Sequence, residues 1–212
     1  DLLRLARMNP EQQEKIVEKI ISGEAETINH ARKILAAENV KSAESPTGKY
    51  RVIYADPPWQ YGGSMNETYG TADKHYPTMS LEELCNMPVH EITEENAVLF
   101  IWVTSPLLED AFKVINAWGF KYKASFVWDK VKHVMGHYNS VRHEFLLVCT
   151  KGSCVPENMK LFDSVYEEER TEHSKKPDFF REVIDTIYPS GSRIELFARR
   201  KVDGWDTYGN QI

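Results

Sequence analysis

The spacing of apolar residues divides the chain into a helical N-terminal part and a longer part of alternating strands and helices. Up to about residue 43, apolar residues recur at helical spacing, with Pro10 opening one helix and Gly23 following its end. From residue 50 onward, short apolar runs typical of buried strands alternate with amphipathic segments. A polar Ser/Pro/Gly segment over residues 41–49 separates the two parts. We predict a helical arm at residues 1–43 and an α/β domain at residues 45–212.

The second part predicts a mostly parallel sheet with helices on both faces, because its strands are separated by helical segments. A loop is expected over residues 136–141, and the Gly- and Asn-rich segment 60–77 is long enough for a functional lid. The predicted strands cover residues 50–55, 97–104, 122–129, 143–150 and 193–198, and the predicted helices begin at Ser80, Pro106 and Pro177.

Composition narrows the class of protein. Hydrophobic residues make up 42% and charged residues 27% of the 212 positions, as in ordinary soluble domains. No apolar run approaches the roughly 20 residues that cross a bilayer, so no membrane partner is predicted. The three cysteines are too scattered for a disulfide framework, which favours a reducing, cytoplasmic location. The net charge of -6 means that any nucleic-acid surface must be a local patch.

Several common catalytic motifs are missing from the sequence. There is no GxxxxGK[ST] phosphate loop, no GxGxxG after a strand and no GxSxG nucleophile turn. No His/Cys set has the spacing of a zinc site, and we predict no metal. Phosphate-loop, standard dinucleotide and serine-hydrolase chemistry are therefore disfavoured.

The motif with the clearest chemistry is Asp56-Pro57-Pro58-Trp59, directly after the apolar run of residues 50–55. Neither proline can donate to a sheet, and Pro57 keeps Asp56 out of the helical region. An acid is therefore held at the carboxyl end of a strand, where α/β sheets bind ligands. Trp59 could offer a ring face on which a base stacks, or it could pack in the core.

This motif and the segments downstream resemble the MTA-seventy family of S-adenosylmethionine-dependent adenine methyltransferases, in particular its bacterial and phage branch. The resemblance covers about residues 50–212, and it rests on the shared order of many short segments. They are the Asp-Pro-Pro-Trp motif, residues 76–80 (YPTMS), 99–104 (LFIWVT), 117–120 (AWGF), 143–148 (HEFLLV), 173–178 (HSKKPD), 194–199 (IELFAR) and 209–211 (GNQ).

The resemblance implies a Rossmann-like class I methyltransferase fold in permuted order, with S-adenosylmethionine as cofactor. The reaction would be methyl transfer to the N6 amine of adenine. Asp56 and the Pro57 carbonyl would accept the two amine hydrogens, Pro58 would stiffen the turn, and Trp59 would hold the base. These four residues are the predicted catalytic set.

The resemblance also implies a cofactor site assembled far along the chain. Lys176 would contact the cofactor carboxylate, and Arg199, Asn210 and Gln211 its ribose and adenine. The other expected contacts are Asp56, Ser174 and Glu195, of which Ser174 could equally belong to a solvated basic loop. An acid that family members often carry before the first strand is missing, since the 41–49 segment offers only Glu44.

The expected substrate side combines a gating residue, an acid and a basic patch. Tyr76 matches a family tyrosine in the loop that closes over the base. Glu144 lies in an otherwise apolar strand and should have a partner, for which the active site is a candidate. Four basic side chains could contact phosphates or could simply face solvent: Lys130, Lys132, His137 and Arg142. Trp59 is the predicted contact with the base.

The sequence leaves the polymer and the role of the arm open. We favour DNA, with RNA as the alternative within the enzyme class, and a catalytically silent nucleic-acid-binding subunit as the alternative outside it. Residues 1–43 could bind DNA through a helix-turn-helix, pack on the main domain, or support a homo- or heterodimer.

Overall fold

The computed structural model describes residues 10–28, 30, 31, 34, 35, 46, 48–61, 78–135, 138–171 and 175–209. Among them, seven strands form one sheet in the order β5-β3-β4-β2-β1-β6-β7. Their bounds are β1 Tyr50–Ala55, β2 Thr93–Val103, β3 Lys121–Met135, β4 Ser140–Lys151, β5 Val165–Glu167, β6 Arg193–Leu196 and β7 Asp206–Tyr208.

The sheet is mixed but mostly parallel. Strand β1 pairs in parallel with β2 and β6, β6 with β7, and β3 with β5. Only β4 runs against its neighbours β2 and β3. The predicted Rossmann-like α/β fold with a mostly parallel sheet is therefore confirmed.

Helices cover both faces of this sheet. Helix α1 spans Pro10–Ile21, α2 Leu81–Cys85, α3 Leu108–Ala117 and α4 Asp178–Ile187, with short 3-10 turns at Val89–Glu91 and Ser105–Leu107. Helix α2 begins with a capping box, in which the side chains of Ser80 and Glu83 each accept a hydrogen bond from the other residue's backbone N–H. Pro177 caps α4, where the sequence predicts a helix start.

Strand β1 lies inside the sheet, between β2 and β6, and contributes to the cores on both faces. Its Ile53 and Ala55 pack in the core that α2 and α3 cover, whereas Val52 and Tyr54 pack in the core that α4 covers. This alternation follows from the two-residue repeat of a strand. Because β1 is anchored on both faces, the residue that follows Ala55 has a fixed position.

The structure corrects three expectations about the strands. Residues 140 and 141 belong to β4, and β3 extends to Met135, so part of the predicted 136–141 loop is an antiparallel hairpin. Strand β6 ends at Leu196, two residues early, because Phe197 has a left-handed φ of 64°. Strands β5 and β7 are three residues long, too short for an apolar period to reveal them.

In the N-terminal arm, helix α1 begins at Pro10 and ends before Gly23, whose φ is +80°. Ile16, Ala25 and Ala31 form a small buried cluster with partly buried residues of the same arm. The domain division near residue 45 stays a prediction. None of the described helices is long and apolar enough to cross a membrane.

Candidate active site

The Asp-Pro-Pro-Trp turn is fixed by backbone hydrogen bonds on both of its sides. The Trp59 N–H donates to the Pro57 carbonyl at 2.8 Å. Trp59 also forms a parallel bridge with Met79, in which Met79 N–H donates to Pro58 at 2.8 Å and Gln60 N–H to Met79 at 3.2 Å. The turn therefore holds Asp56 rigidly at the carboxyl end of β1.

Trp59 lies mostly in the core. Its side chain is 8% exposed, and its indole Nε1–H donates to the Trp102 carbonyl at 2.9 Å. Of the two interpretations of this residue, the structure favours core packing over an open stacking face. The part of the ring that is not packed lines a small cavity beside Asp56.

Four charged side chains meet beside that turn, and we call Asp56, Lys176, Glu144 and Lys130 the charge cluster. Lys176 Nζ donates to both Asp56 carboxylate oxygens, at 2.9 and 2.8 Å. Lys130 Nζ donates to Glu144 Oε1 at 2.5 Å. Lys176 Nζ also lies 3.3 Å from Glu144 Oε2. No side chain of the cluster is more than 18% exposed.

Burial and pairing act against each other in this cluster. Burial raises the pKa of the Glu144 carboxyl, but the charges of Lys176 and Lys130 outweigh it and lower the pKa below its usual 4.5. Burial likewise lowers the pKa of Lys176, and the charges of Asp56 and Glu144 raise it above its usual value. Both groups therefore stay ionised at neutral pH, and the formal charges of the cluster cancel.

The cluster borders a cavity of about 60 Å³. The lining residues are Asp56, Pro57, Trp59, Tyr61, Trp102, Val103, Thr104, Glu144 and Lys176. Within the described part of the chain, Glu144 Oε2 is buried and has no hydrogen-bond partner. The cavity is therefore a polar space beside Asp56 and Glu144 into which a group with hydrogen-bond donors can fit.

Four residues that line this cavity were not predicted from the sequence: Tyr61, Trp102, Val103 and Thr104. The hydroxyls of Tyr61 and Thr104 are hydrogen-bonded at 2.8 Å, and the Trp102 ring lies 5.3 Å from Lys176 Nζ. Trp102 and Thr104 lie at the carboxyl end of β2, which pairs in parallel with β1. The rule that parallel strands present their carboxyl ends together could have indicated them.

Of the basic residues expected to form a phosphate-binding patch, the three within the described ranges, Lys130, Lys132 and Arg142, are each paired with an acid. Lys130 is turned inward and pairs with Glu144 of the charge cluster. This position does not favour the predicted contact between Lys130 and a phosphate. Lys132 pairs with Glu169, and Arg142 Nη2 donates to Asp129 at 2.6 Å. Lys132 and Arg142 are more than half exposed but already partly neutralised.

Glu195 does not line the cavity. It pairs with Arg181 of α4, and both side chains are nearly buried. The Arg181 guanidinium lies 5.1 Å from the Tyr54 ring centre and 4.8 Å from that of Trp205. The predicted cofactor contact at Glu195 is thus occupied by a protein cation.

The remaining predicted contacts are only partly within the described chain. Arg199 is partly buried two residues beyond Phe197, at the carboxyl end of β6. Among the described residues, no group of three or more His, Cys, Asp or Glu side chains could hold a metal ion. The residues outside the described ranges are Tyr76, His137, Ser174, Asn210 and Gln211.

A mostly parallel α/β sheet with an Asp-Pro-Pro-Trp turn at the carboxyl end of an interior strand is typical of a Rossmann-like methyltransferase. Comparison with family models agrees, since the MT-A70 model matches residues 50–211. The chain belongs to the MT-A70 family.

Individual relatives are similar over most of the chain. The type II methyltransferase M.MunI of Mycoplasma sp is 38% identical over 185 residues, 79% of this chain and 79% of that protein. The N(6)-adenosine-methyltransferase catalytic subunit METTL3 of Homo sapiens is 31% identical over 175 residues, 78% of this chain but 28% of that protein. A putative N(6)-adenosine-methyltransferase MT-A70-like protein of Medicago truncatula is 32% identical over 177 residues, 78% of this chain and 27% of that protein.

These comparisons confirm the predicted family and the predicted class of enzyme, an adenine N6-methyltransferase. Methyltransferases of this family in general use S-adenosylmethionine. The residues that bind it in this chain, the polymer and the oligomeric state belong to the proposals below.

Proposed function

We propose that this chain transfers a methyl group from S-adenosylmethionine to the N6 amine of adenine in DNA, at the cavity beside Asp56. The observation that carries the proposal is the pairing of a rigid acid with an unsatisfied acceptor. Asp56 is fixed at the end of β1, and the buried Glu144 Oε2 borders the same small cavity. An amine brings two hydrogen-bond donors to this cavity, and Asp56 can accept one of them.

The exocyclic amine of adenine is a poor nucleophile because its lone pair is delocalised into the ring. Acceptors that hold its two hydrogens draw the nitrogen toward a tetrahedral geometry, and a fixed orientation supplies much of the rate. A carboxylate oxygen has two acceptor positions, so Asp56 can accept an amine hydrogen while Lys176 still donates to it. The Pro57 carbonyl accepts one hydrogen bond, from Trp59, and has a second position free.

Glu144 supplies a further acceptor on the wall of the cavity. A buried acceptor without a partner costs about 1–3 kcal/mol. A hydrogen-bond donor on the bound substrate or cofactor would recover that free energy on binding. We therefore keep Glu144 as a proposed substrate contact, together with Tyr76 on the basis of the resemblance.

The residues present fit the cofactor of the family. Lys176 has three N–H donors, of which Asp56 takes two, so one remains for the cofactor carboxylate. When bound, S-adenosylmethionine supplies an electrophilic methyl group on its sulfonium. Ser174, Arg199, Asn210 and Gln211 are the further contacts that the resemblance supports. Glu195 stays a predicted cofactor contact, and in this structure it is paired with Arg181.

The preference for DNA rests on the extent of the similarity. The type II methyltransferase matches this chain over 79% of both proteins, whereas the N(6)-adenosine methyltransferases match over about a quarter of their length. We propose that residues 1–43 add contacts to the DNA or to a second subunit. Removing them should weaken DNA binding more than cofactor binding, and equal effects on both would contradict this role.

The direct test is transfer of a labelled methyl group to matched DNA and RNA oligonucleotides, followed by identification of the modified nucleoside. N6-methyldeoxyadenosine should form, and a Lys176→Ala variant should show a raised Kd for S-adenosylmethionine. Methylation of RNA alone would show that the substrate is RNA and not DNA. Absence of binding heat with S-adenosylmethionine would support the silent nucleic-acid-binding subunit instead.

A further inference from the structure

Lys130 has an unusual orientation for a lysine on a hairpin strand. The following residues Lys132 and His133 are exposed, but the Lys130 side chain is only 18% exposed. Its ammonium lies 2.5 Å from Glu144 Oε1 and 5.0 Å from the Trp128 ring centre. Burying an ammonium group costs several kcal/mol unless it is paired. The surrounding structure must therefore hold Lys130 in this inward orientation.

The backbone next to Lys130 is where that structure is irregular. Val131 has a φ of 65°, which a β-branched residue rarely adopts, and the β3–β4 register shifts between Asp129 and Val134. The Val131 N–H donates to Asp129 Oδ1 at 2.9 Å, and Arg142 Nη2 donates to Asp129 Oδ2 at 2.6 Å. The Asp129 carboxylate thus ties together a strained turn that begins at Lys130.

The pairing of Lys130 with Glu144 decides how Lys176 is shared. Lys176 gives hydrogen bonds to both oxygens of Asp56, whereas its 3.3 Å contact with Glu144 is an ion pair without one. Without Lys130, Glu144 would be a buried anion with Lys176 as its nearest cation. It would then compete with Asp56 for the same ammonium group.

We propose that Lys130 is a positioning residue of the methyl-transfer site, which holds Glu144 and thereby reserves Lys176 for Asp56. The turn formed by Asp129, Val131 and Arg142 directs Lys130 to that position. This inference rests on the proposed function, since it assigns a role within the same site. The sequence suggests that Lys130 and Arg142 contact phosphates. In this proposal they position the site instead.

Steady-state kinetics on a DNA substrate separate positioning from phosphate binding. In Lys130→Met, kcat should fall at least about tenfold while KM for DNA changes less than about threefold. Lys130→Arg keeps the charge and should recover most of kcat. The matched control is Lys113→Met, which removes an exposed lysine paired with Asp110 at 2.8 Å and should change neither constant.

The opposite kinetic pattern would overturn the proposal. A phosphate contact would raise KM with kcat preserved and would lower the slope of log affinity against log salt by about one. Arg142→Gln provides a second variant in which Lys130 itself is intact. It should lower kcat in the same direction as Lys130→Met but less, and an effect on KM alone would again contradict the inference.

A titration that needs no methyl transfer distinguishes failure of this inference from failure of the proposed function. The Glu144 carboxyl is faced by Lys130 from β3 and by Lys176 from the segment before α4, with Asp56 on the far side of Lys176. NMR titration of 13C-labelled glutamate should show the Glu144 pKa raised in Lys130→Met and restored in Lys130→Arg. An unchanged pKa in Lys130→Met would overturn the positioning role, whether or not the wild-type chain methylates DNA.

Discussion

The core that α4 covers carries two buried sets of opposite charges, and the charge cluster is the one that lines the cavity beside the Asp-Pro-Pro-Trp turn. The Arg181–Glu195 pair joins α4 to β6, and its guanidinium lies over the rings of Tyr54 and Trp205. The charge cluster also lies against tryptophan rings, but its Glu144 has an oxygen without a hydrogen bond beside free volume. The comparison teaches that burial of charge alone does not mark a functional site. The cavity beside the charge cluster is what makes it the candidate site.

The largest expected effect comes from removing the acid of the cluster. Asp56→Ala should lower methyl transfer by at least about 100-fold, because it removes an oriented acceptor for the amine. Affinity for S-adenosylmethionine, measured by calorimetry, should stay within a few-fold. Activity close to that of the wild type would show that another group holds the amine.

Removing the cation of the other pair should damage the fold and leave the chemistry intact. Arg181→Met leaves Glu195 buried without a partner and should cost about 3 kcal/mol of unfolding free energy. For a chain of this size that corresponds to a drop in Tm of roughly 6–12 °C. The double variant Arg181→Met/Glu195→Leu should recover most of the loss.

The same variant can also disprove the contrast between the two charge sets. Methyl transfer by Arg181→Met should match the wild type at temperatures well below its Tm. If the Kd for S-adenosylmethionine rises strongly there, Glu195 and Arg181 belong to the cofactor site, as the resemblance implies for Glu195.

The charge cluster should also make stability depend on pH. The pKa of Glu144 is lowered from its usual 4.5 to about 2, because Lys176 and Lys130 outweigh the effect of burial. Its stabilising contribution is fully present above pH 4.5 and is lost as the pH falls toward 2, on the order of 2 kcal/mol. The difference in Tm between wild type and Glu144→Gln should therefore shrink over that range. A constant difference would show that Glu144 is not held by the lysines.

The smallest expected effect concerns the backbone that supports the cluster. Regular elements carry Arg181 and Glu195, whereas Lys130 precedes a valine with a left-handed φ. Val131→Gly removes the strain of that conformation and should raise Tm by about 1–4 °C, whereas Val131→Ala should not. A lower Tm for the glycine variant would show that the turn is relaxed with valine in place.

Much of the fold follows directly from the sequence pattern. Long apolar runs mark strands β1, β2 and β4. Pro177 marks the start of helix α4. Asp56 could be located because proline constrains its backbone and because a strand precedes it. These signals are local, so a single sequence contains them.

The partners of charged side chains could not be predicted in the same way. Glu144 was expected to have a partner, but its pairing with Lys130 depends on the register shift in the β3–β4 hairpin. Glu195 pairs with Arg181 because α4 crosses the face of β6, a contact that no short motif encodes. Pairing depends on three-dimensional register, which the periodicity of one chain leaves undetermined.

The bridge between Trp59 and Met79 has a consequence for evolution and engineering. Its hydrogen bonds hold residues 58–60 next to Met79, so the two ends of the intervening segment are fixed at one place close to Asp56. Doubling the length of such a loop costs only about 0.6 kcal/mol of closure entropy. A segment of different length or sequence between these two fixed ends should therefore leave the geometry of Asp56 unchanged.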